Sequence, residues 1–290
     1  MSEAKGSSCS GCYNTPMSLR VHHLNCGSLC PISRAAFNGK GAWNQPGELV
    51  CHCLLIETEA GLVLVDTGIG LEQVRQRSLT PLMDIISRPS FAPAETAHAQ
   101  IRALGLDPGD VRHIVLTHLD LDHAGGLADF PGATVHLHRQ EYRGVKWQPG
   151  LAEQLRYLPA LWRHSVKWQT YEPLGENWFG FDAVRPLVGL PEDILLIPLT
   201  GHSKGHSGIA VDTDSGWLLH CGDAYFDPRQ LDWPLPKCAP GLMALQLLES
   251  SSHLEWAHNL LRLARLKSRH PEVRLFCAHD VDEFKQLAGL

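Results

Sequence analysis

The 290-residue chain lacks the features that would mark a membrane protein or a nucleic-acid-binding protein. No run approaches the roughly 18 consecutive apolar residues that a membrane helix needs. Residues 1–16 are rich in Ser and Gly and lack the apolar core of a signal peptide. Basic clusters are missing and the formal net charge is −6, which argues against nucleic acid as a partner. We therefore expect a cytoplasmic protein that binds a small molecule, with a flexible tail over residues 1–16 and one domain over residues 17–290.

An even cysteine count is also lacking, since the chain has nine. An odd number fits reduced thiols better than a disulfide framework. Cys9 and Cys12 form a Cys-x-x-Cys pair in the tail, and Cys26 and Cys30 flank a short turn. Together these four could bind zinc, although the tail has little to fix their geometry. Four further cysteines lie along or at the ends of predicted strands and are interpreted as small core residues: Cys51, Cys53, Cys221 and Cys277.

Metal-binding side chains are concentrated in the segment 117–126, Thr-His-Leu-Asp-Leu-Asp-His-Ala-Gly-Gly. Four of them fall within six residues: His118, Asp120, Asp122 and His123. The apolar run 113–116 before them predicts a buried strand, and the two glycines allow a tight turn. Alternate residues of an extended segment lie on a common side. This loop therefore predicts a metal site.

Three other apolar runs end in a histidine or an aspartate beside a small residue. The residues in question are His202, Asp223 and His279. With 17 histidines in the chain, chance explains one or two such placements, but four strand ends with the same feature favour a shared site. The sequence predicts a binuclear centre at one edge of a sheet, with Asp223 able to bridge the two ions.

These motifs resemble those of the metallo-β-lactamase superfamily, whose loop usually has the pattern His-x-His-x-Asp-His, followed by a distant His, a Gly-Asp and a last His. The similarity extends from about Val50 to the end of the chain and includes an Asp-Thr-Gly turn at 66–68. It implies an α+β fold, the four-layer αββα sandwich, and two divalent metal ions, zinc or else manganese or iron. The resemblance implies one ion held by His118, Asp120 and His202, a second held by Asp122, His123 and His279, Asp223 as the bridge, and Asp66 behind them orienting a ligand imidazole.

The chain departs from the family pattern at Asp120, where a histidine is usual. With this extra carboxylate, the charges of two divalent ions, three aspartates and one hydroxide cancel, whereas a histidine would leave one positive charge. A neutral centre attracts anionic substrates less and favours an uncharged acyl or lactone substrate. The alternative is that Asp120 turns away and the first ion binds weakly or not at all.

The end of the chain, from His279 to Phe284, is similar to that of N-acyl-homoserine lactonases and related lactone hydrolases. The resemblance implies an enzyme that hydrolyses an ester or a lactone with a hydroxide bridging the two metals, because the ions lower the pKa of bound water. Asp122 or Asp223 would pass a proton to the leaving alkoxide.

A tyrosine three residues after the bridging aspartate assists the carbonyl in related lactonases. That position is Phe226 in this chain, and Tyr225 lies one residue earlier. Tyr225 is therefore the candidate for this role, provided that the loop is shifted.

Three alternatives remain open. One is a thioesterase like the glyoxalase II branch, although the basic C-terminal region usual there is not seen. Another is a diiron oxidoreductase or sensor, because the diiron flavoproteins of the superfamily carry a carboxylate at the position of Asp120. The third is a non-catalytic binding protein, which the full ligand set disfavours. The sequence also leaves the oligomeric state open, a homodimer included.

The pattern of apolar residues predicts strands near 19–25, 49–58, 62–66, 112–117, 133–137, 194–199, 208–213, 217–221 and 273–277. A long helix is predicted over 242–268, with Leu254, Ala257, Leu261 and Ala264 on its apolar face. The aromatic-rich residues 142–181 are interpreted either as a helical lid or as a helical layer packed on the sheet. His206 is interpreted as a hydrogen-bonding partner that fixes its loop.

Overall fold

A computed structural model describes residues 19–147, 154, 156–172 and 175–290, without the side chains of residues 182–185. The predicted N-terminal tail, with Cys9 and Cys12, lies outside these residues. Among the helices that are described, none has the length and apolar character needed to cross a bilayer.

Two six-stranded sheets form the centre of the fold. The first has the strand order β1-β2-β3-β4-β5-β6, with β1 Arg20–Leu29, β2 Leu49–Thr58, β3 Gly61–Val65, β4 Val111–Val115, β5 Thr134–His138 and β6 Lys167–Tyr171. The second has the order β12-β11-β10-β9-β8-β7, with β7 Glu176–Trp178, β8 Phe181–Pro186, β9 Ile194–Pro198, β10 Ser207–Thr213, β11 Gly216–His220 and β12 Val273–Phe276. All nine predicted strands are present, with ends that differ by a few residues.

Side chains on the facing sides of the two sheets form one buried cluster. Leu54 and Ile56 of β2 meet residues such as Leu196 of β9 and Ile209 of β10 in it. Alternate residues along a strand point to opposite faces, so the residues in between must be covered from outside. Strands that are buried on both faces have nearly continuous apolar runs, as β2 does.

Helices cover the two outer faces. The longer ones are α1 Arg34–Asn38, α2 Leu71–Gln76, α3 Pro81–Ile86, α4 Ala97–Ala103, α5 Leu121–Ala124, α6 Arg139–Lys146, α7 Pro240–Glu249, α8 His253–Arg269 and α9 Val281–Ala288. Ile101 of α4 packs with Leu55 and Leu64 on the outside of the first sheet. Leu263 of α8 packs with Ile197 on the outside of the second. The order of layers is helix, sheet, sheet, helix, which confirms the predicted αββα sandwich.

The single helix predicted over 242–268 is wrong. The structure has two helices, α7 and α8, separated by the serines at 250–252, and the Ser252 side chain caps α8 by accepting a hydrogen bond from the Glu255 amide. Of the predicted apolar face only Ala264 is buried, because Leu254 is 87 % exposed and the buried face of α8 includes Leu263 instead. Serine competes for backbone hydrogen bonds and favours helix starts, so the run of serines ends one helix and begins the next.

The helical interpretations hold for only a part of the aromatic-rich residues 142–181 that the structure describes. The segment begins with the end of α6, which packs on the first sheet, and then contributes short helical turns, the strands β6 and β7 and the start of β8. Tyr171 and Phe181 are buried in the cores of the sheets, whereas Trp147 is 76 % exposed. The β-branched and aromatic residues of β6 and β7 lie in strands at the edges of the two sheets. Apolar content alone does not distinguish such strands from a helix.

The corrected face of α8 gives a test of the fold. Leu263→Ala should lower the free energy of unfolding by roughly 2–5 kcal/mol, because it leaves a cavity in a packed core. Leu254→Ala on the same helix is the matched control and should change it by no more than about 0.5 kcal/mol. Urea unfolding followed by circular dichroism measures both values. Equal losses for the two variants would contradict this packing.

Candidate metal centre

The ligands predicted at strand ends meet at one edge of the two sheets. β10 is antiparallel to both β9 and β11, and β12 is parallel to β11, so β9, β11 and β12 all run in the same direction. Their carboxyl ends reach the same edge and are followed by His202, Asp223 and His279. The loop after β4 brings the remaining ligands, 118–123, from the first sheet.

The Asp223 carboxylate lies at the centre of this group, between two pairs of imidazoles. Its Oδ2 atom is 3.6 Å from His118 Nε2 and 3.4 Å from His202 Nε2. Its Oδ1 atom is 3.3 Å from His123 Nε2 and 3.2 Å from His279 Nε2. Ligand atoms around a tetrahedral zinc lie about 3.4 Å apart, because the metal–ligand bonds are about 2.0–2.1 Å long. Each oxygen of Asp223 therefore faces a separate set of atoms spaced as metal ligands are.

The polar atoms of this group fit a divalent cation. His118 Nε2, His123 Nε2 and Asp223 Oδ1 are buried and find no hydrogen-bond partner in the part of the chain that is described. A buried polar atom without a partner is costly, and such atoms are rare in native proteins. Imidazole and carboxylate ligands suit zinc, manganese and iron. Two overlapping triads have ligand atoms within 4.8 Å of one another: His118, His202 and Asp223, and His123, Asp223 and His279.

We call His118, Asp120 and His202 the first half of the centre, and Asp122, His123 and His279 the second half, with Asp223 between them. In the second half, Asp122 Oδ2 lies 3.6 Å from His279 Nε2. The thiol of Cys51 lies beside these two residues and makes a third possible triad with them. Cys51 is otherwise a buried residue of the core, as predicted from the sequence.

Asp66 orients the ligands from behind, where the resemblance placed it. Its Oδ2 atom is 2.8 Å from His123 Nδ1, and both of its oxygens accept hydrogen bonds from Thr117. The Thr117 hydroxyl is in turn 2.9 Å from His118 Nδ1. Contacts to the Nδ1 atoms leave the Nε2 atoms pointing toward Asp223, the arrangement that fixes an imidazole for metal binding.

Hydrogen bonds of His279 and His206 hold the second half and the loops in place. His279 Nδ1 lies 2.8 Å from the Val50 carbonyl. His206 Nε2 accepts a hydrogen bond of 2.9 Å from the Asp223 amide, while its Nδ1 atom donates to the Leu199 carbonyl. Both ring nitrogens of His206 therefore have partners in the loops that it fixes, as expected from the sequence, and neither is available as a ligand.

Neighbouring charges oppose the effect of burial on the pKa of Asp223 and His279 but add to it at His202. Burial alone would raise the pKa of Asp223, but the neighbouring His279 and His123 hold it well below its usual range. Burial disfavours the charged form of His279, yet Asp223 beside it raises its pKa to about 9. Burial and the Arg156 guanidinium lower the pKa of His202 to about 4. The two halves thus differ electrostatically.

Asp120 lies in the first half and does not turn away. Its Oδ2 atom is 3.2 Å from His118 Nε2 and 3.1 Å from His202 Nε2. Both of its oxygens also accept hydrogen bonds from Arg156, Nε to Oδ1 and Nη2 to Oδ2, each 2.6 Å long. This two-pronged ion pair is the geometry in which arginine binds a carboxylate most strongly.

Arg156 changes the charge of the centre that the sequence predicted. Because its positive charge compensates Asp120, the extra carboxylate no longer makes the centre neutral, and the expected preference for uncharged substrates loses this support. No motif in the sequence places Arg156 at the centre. The one available signal was indirect: a buried ligand set with an additional carboxylate requires a further positive charge.

Tyr225 does not contact the ligands. Its side chain is fully buried, and its hydroxyl donates to Glu283 at 3.2 Å in the core behind the centre. From this position it cannot assist a carbonyl at the centre, so the catalytic role predicted for Tyr225 is wrong. Phe226 lies at the centre instead, with its ring centroid 6.0 Å from that of His202 and 5.5 Å from that of His279.

Glu141 is a supporting residue that the sequence did not reveal. Its side chain is fully buried and accepts hydrogen bonds from the Leu119 amide, the Ser203 hydroxyl and the Gly205 amide. It therefore ties the loop after β4 to the loop after β9. Its position in an ordinary helical segment, α6, gave no motif by which to recognise it.

The described cysteines are all free thiols. Cys26, Cys51, Cys53, Cys221 and Cys277 are buried. The zinc site considered for Cys9, Cys12, Cys26 and Cys30 falls in part outside the described residues.

Comparison with known proteins agrees with this geometry. Residues 46–279 match the model of the metallo-beta-lactamase superfamily. The chain belongs to the metallo-beta-lactamase superfamily. Its fold is the one that the resemblance implied.

Relatives within the superfamily include hydrolases. The chain is 41 % identical, over 92 % of its length and 82 % of the relative, to a protein of Mycobacterium tuberculosis named as a probable metallo-hydrolase. It is 27 % identical to the N-acyl homoserine lactonase AttM of Azorhizobium caulinodans, over 93 % of this chain and 98 % of that protein. The solved structure of an N-acyl homoserine lactone hydrolase with bound N-hexanoyl-L-homoserine superposes with a TM-score of 0.68 at 21 % identity, covering 93 % of this chain and 97 % of that one. These relatives support a metallo-hydrolase.

The contact between Asp66 and His123 predicts an effect on metal binding. Asp66→Asn keeps the shape of the side chain but removes the charge that orients the imidazole, and such changes typically weaken metal binding by roughly 10- to 100-fold. Zinc affinity measured by competition with a chelator gives the value. Asp214→Asn, in an exposed turn, is the control and should bind zinc as the wild type does. Equal zinc affinity in all three proteins would contradict the role of Asp66.

Proposed function

We propose that this protein is a metal-dependent hydrolase that uses two divalent ions, zinc by preference, to cleave an ester or a lactone with a hydroxide that bridges the metals. The observation that carries the proposal is the position of Asp223, whose two oxygens each face a separate pair of imidazole nitrogens at 3.2–3.6 Å. A carboxylate in this position can serve two ions at once. The lactonases among the relatives point to the same bond class.

Two divalent ions held in this way would lower the pKa of bound water, so that hydroxide is available at neutral pH, and would polarise the substrate carbonyl. The residues of the chain place and protect this chemistry. Asp223 and the four imidazoles would hold the ions, while Asp66 and the Val50 carbonyl fix the orientation of the rings of His123 and His279. The Phe226 ring makes one side of the centre apolar, which suits the acyl part of an ester and limits access of bulk water.

A proton must reach the leaving alkoxide at the end of the reaction. Asp122 is placed for this step, since it lies in the second half of the centre, is 8 % exposed, and pairs with no arginine among the described residues, unlike Asp120. Asp223 is less suited, because neighbouring histidines hold its pKa well below its usual range and it is a poor proton carrier there. We therefore assign the proton transfer to Asp122 and the bridging role to Asp223.

The alternatives gain less support from the geometry. The diiron interpretation rested on Asp120 as a carboxylate ligand, but this carboxylate is engaged by Arg156. The thioesterase interpretation shares the metal chemistry and differs only in substrate. A small-molecule substrate and cytoplasmic location stay predictions from the sequence.

A substrate panel tests the proposal. Wild-type protein purified with its own metal should hydrolyse at least one member of a panel of lactones, esters and thioesters. Asp223→Ala should lower kcat/KM by on the order of 100-fold or more, because it removes the residue shared by both ions. Asp214→Ala, on the exposed turn between β10 and β11, is the matched control and should keep the wild-type rate.

The outcomes distinguish the classes. A clear preference for thioesters would favour the glyoxalase II type. Elemental analysis that finds iron, together with redox-active absorbance, would favour the oxidoreductase, whereas zinc or manganese supports hydrolysis. If wild type and Asp223→Ala are equally inert on the whole panel, a catalytic role has to be abandoned.

A further inference from the structure

Arg156 uses every hydrogen-bond donor of its guanidinium group at the first half of the centre. The group has five N–H bonds in a planar fork. Two of them point to the carboxylate oxygens of Asp120, and Nη2 also contacts His202 Nε2. The two on Nη1 are directed to the backbone carbonyls of His202 and Glu249, at 2.9 and 2.8 Å.

This complete set of partners argues against substrate binding by Arg156. A guanidinium that binds a substrate carboxylate or phosphate needs free N–H bonds directed at it. Here all five have acceptors in the protein. The side chain is also largely covered, with 16 % of its surface exposed. Arg156 is therefore built into the centre, and its effect must be on the centre itself.

The contact with His202 Nε2 places Arg156 in competition with a metal ion. A neutral imidazole has one nitrogen with a lone pair, so the same atom cannot both accept a hydrogen bond and bind a metal. The positive charge of Arg156 also offsets the attraction of the Asp120 carboxylate for a cation in the first half. Among the described residues no cation contacts the Nε2 atoms of the second half: His123 Nε2 has no hydrogen-bond partner, and His279 Nε2 lies 3.2 Å from Asp223 and 3.6 Å from Asp122.

We propose that Arg156 makes the two halves of the centre unequal, so that one divalent ion binds tightly in the second half and the other binds weakly in the first half, only after the guanidinium releases His202. The inference rests on the proposed binuclear centre and states in which order its ions are bound. It also explains why an aspartate replaces the usual histidine at position 120, because the Asp120 carboxylate holds the guanidinium in place. Occupancy of the first half would then depend on the available metal concentration.

The size of the effect follows from what the ion must displace. A hydrogen bond to a charged group, lost on metal binding, weakens the affinity by roughly 10- to 100-fold. Zinc titration of metal-free wild type should therefore show two binding steps at least about that far apart. Calorimetry with a chelator in competition measures both affinities.

Three variants locate the effect. Arg156→Met keeps a side chain of similar length without charge or donors, and should tighten the weak step by roughly 10- to 100-fold while changing the tight step little. Arg156→Lys keeps the charge but offers three donors and no fork, and should give an intermediate affinity. Arg143→Met, on the exposed side of α6, is the matched control and should show the wild-type titration.

Ligand variants show which half holds the tight ion. His202→Ala should retain one tightly bound zinc, whereas His123→Ala should lose it. Circular dichroism of each protein establishes that it is folded, and Arg156→Lys carries the test if Arg156→Met does not fold.

Several results would overturn the inference. Two equal zinc affinities in wild type would do so, as would loss of both ions in a folded Arg156→Met or loss of the tight ion in His202→Ala. These outcomes leave the proposed function standing. It fails separately if folded wild type binds no zinc at micromolar concentration, or if it binds two ions and hydrolyses nothing.

Discussion

The Asp223 carboxylate between four imidazoles is the interaction around which the site is built. A buried carboxylate is costly unless positive charge or hydrogen bonds compensate it, and so are buried imidazole nitrogens without partners. In this protein both kinds of group are aimed at one another across 3.2–3.6 Å, a distance that suits ligands of a shared cation better than hydrogen bonds. A bound cation would satisfy both kinds of group, so the stability of this region and the proposed chemistry would depend on the same ion.

The rest of the fold can be understood as the support for this arrangement. The two sheets pack through one continuous apolar layer, and their strands end at a common edge where the ligands are placed. Gly222, immediately before Asp223, has a φ of +53°, and a Cβ atom there would lie 2.6 Å from His206 Nε2. Glycine at this turn lets the Asp223 amide reach His206 and so fixes the direction of the carboxylate.

The sequence predicted the parts that depend on short-range patterns. His118 to His123 form a local motif, and the other ligands follow apolar strands, so both could be recognised without knowledge of the packing. Arg156 and Glu141 could not, because they act through contacts with residues far away in the chain and lie in segments without a motif. The break before α8 was missed because the apolar pattern alone does not show that the serines begin a new helix. The strands of the aromatic-rich segment were missed because apolar content does not separate helix from strand over short runs.

Asp120 and Arg156 show how a changed ligand can be compensated at a distance in the sequence. An aspartate in place of the usual histidine adds a negative charge to the ligand set, and an arginine 36 residues later adds a positive one, joined to it by two hydrogen bonds. The sum of charge is then the same as with histidine, but its distribution differs. The positive charge is fixed in the protein and contacts a ligand atom, so it is present before any metal binds. In the proposed hydrolase such a centre would keep the positive charge that favours hydroxide and a developing oxyanion, while the guanidinium occupies His202 Nε2 until an ion enters the first half.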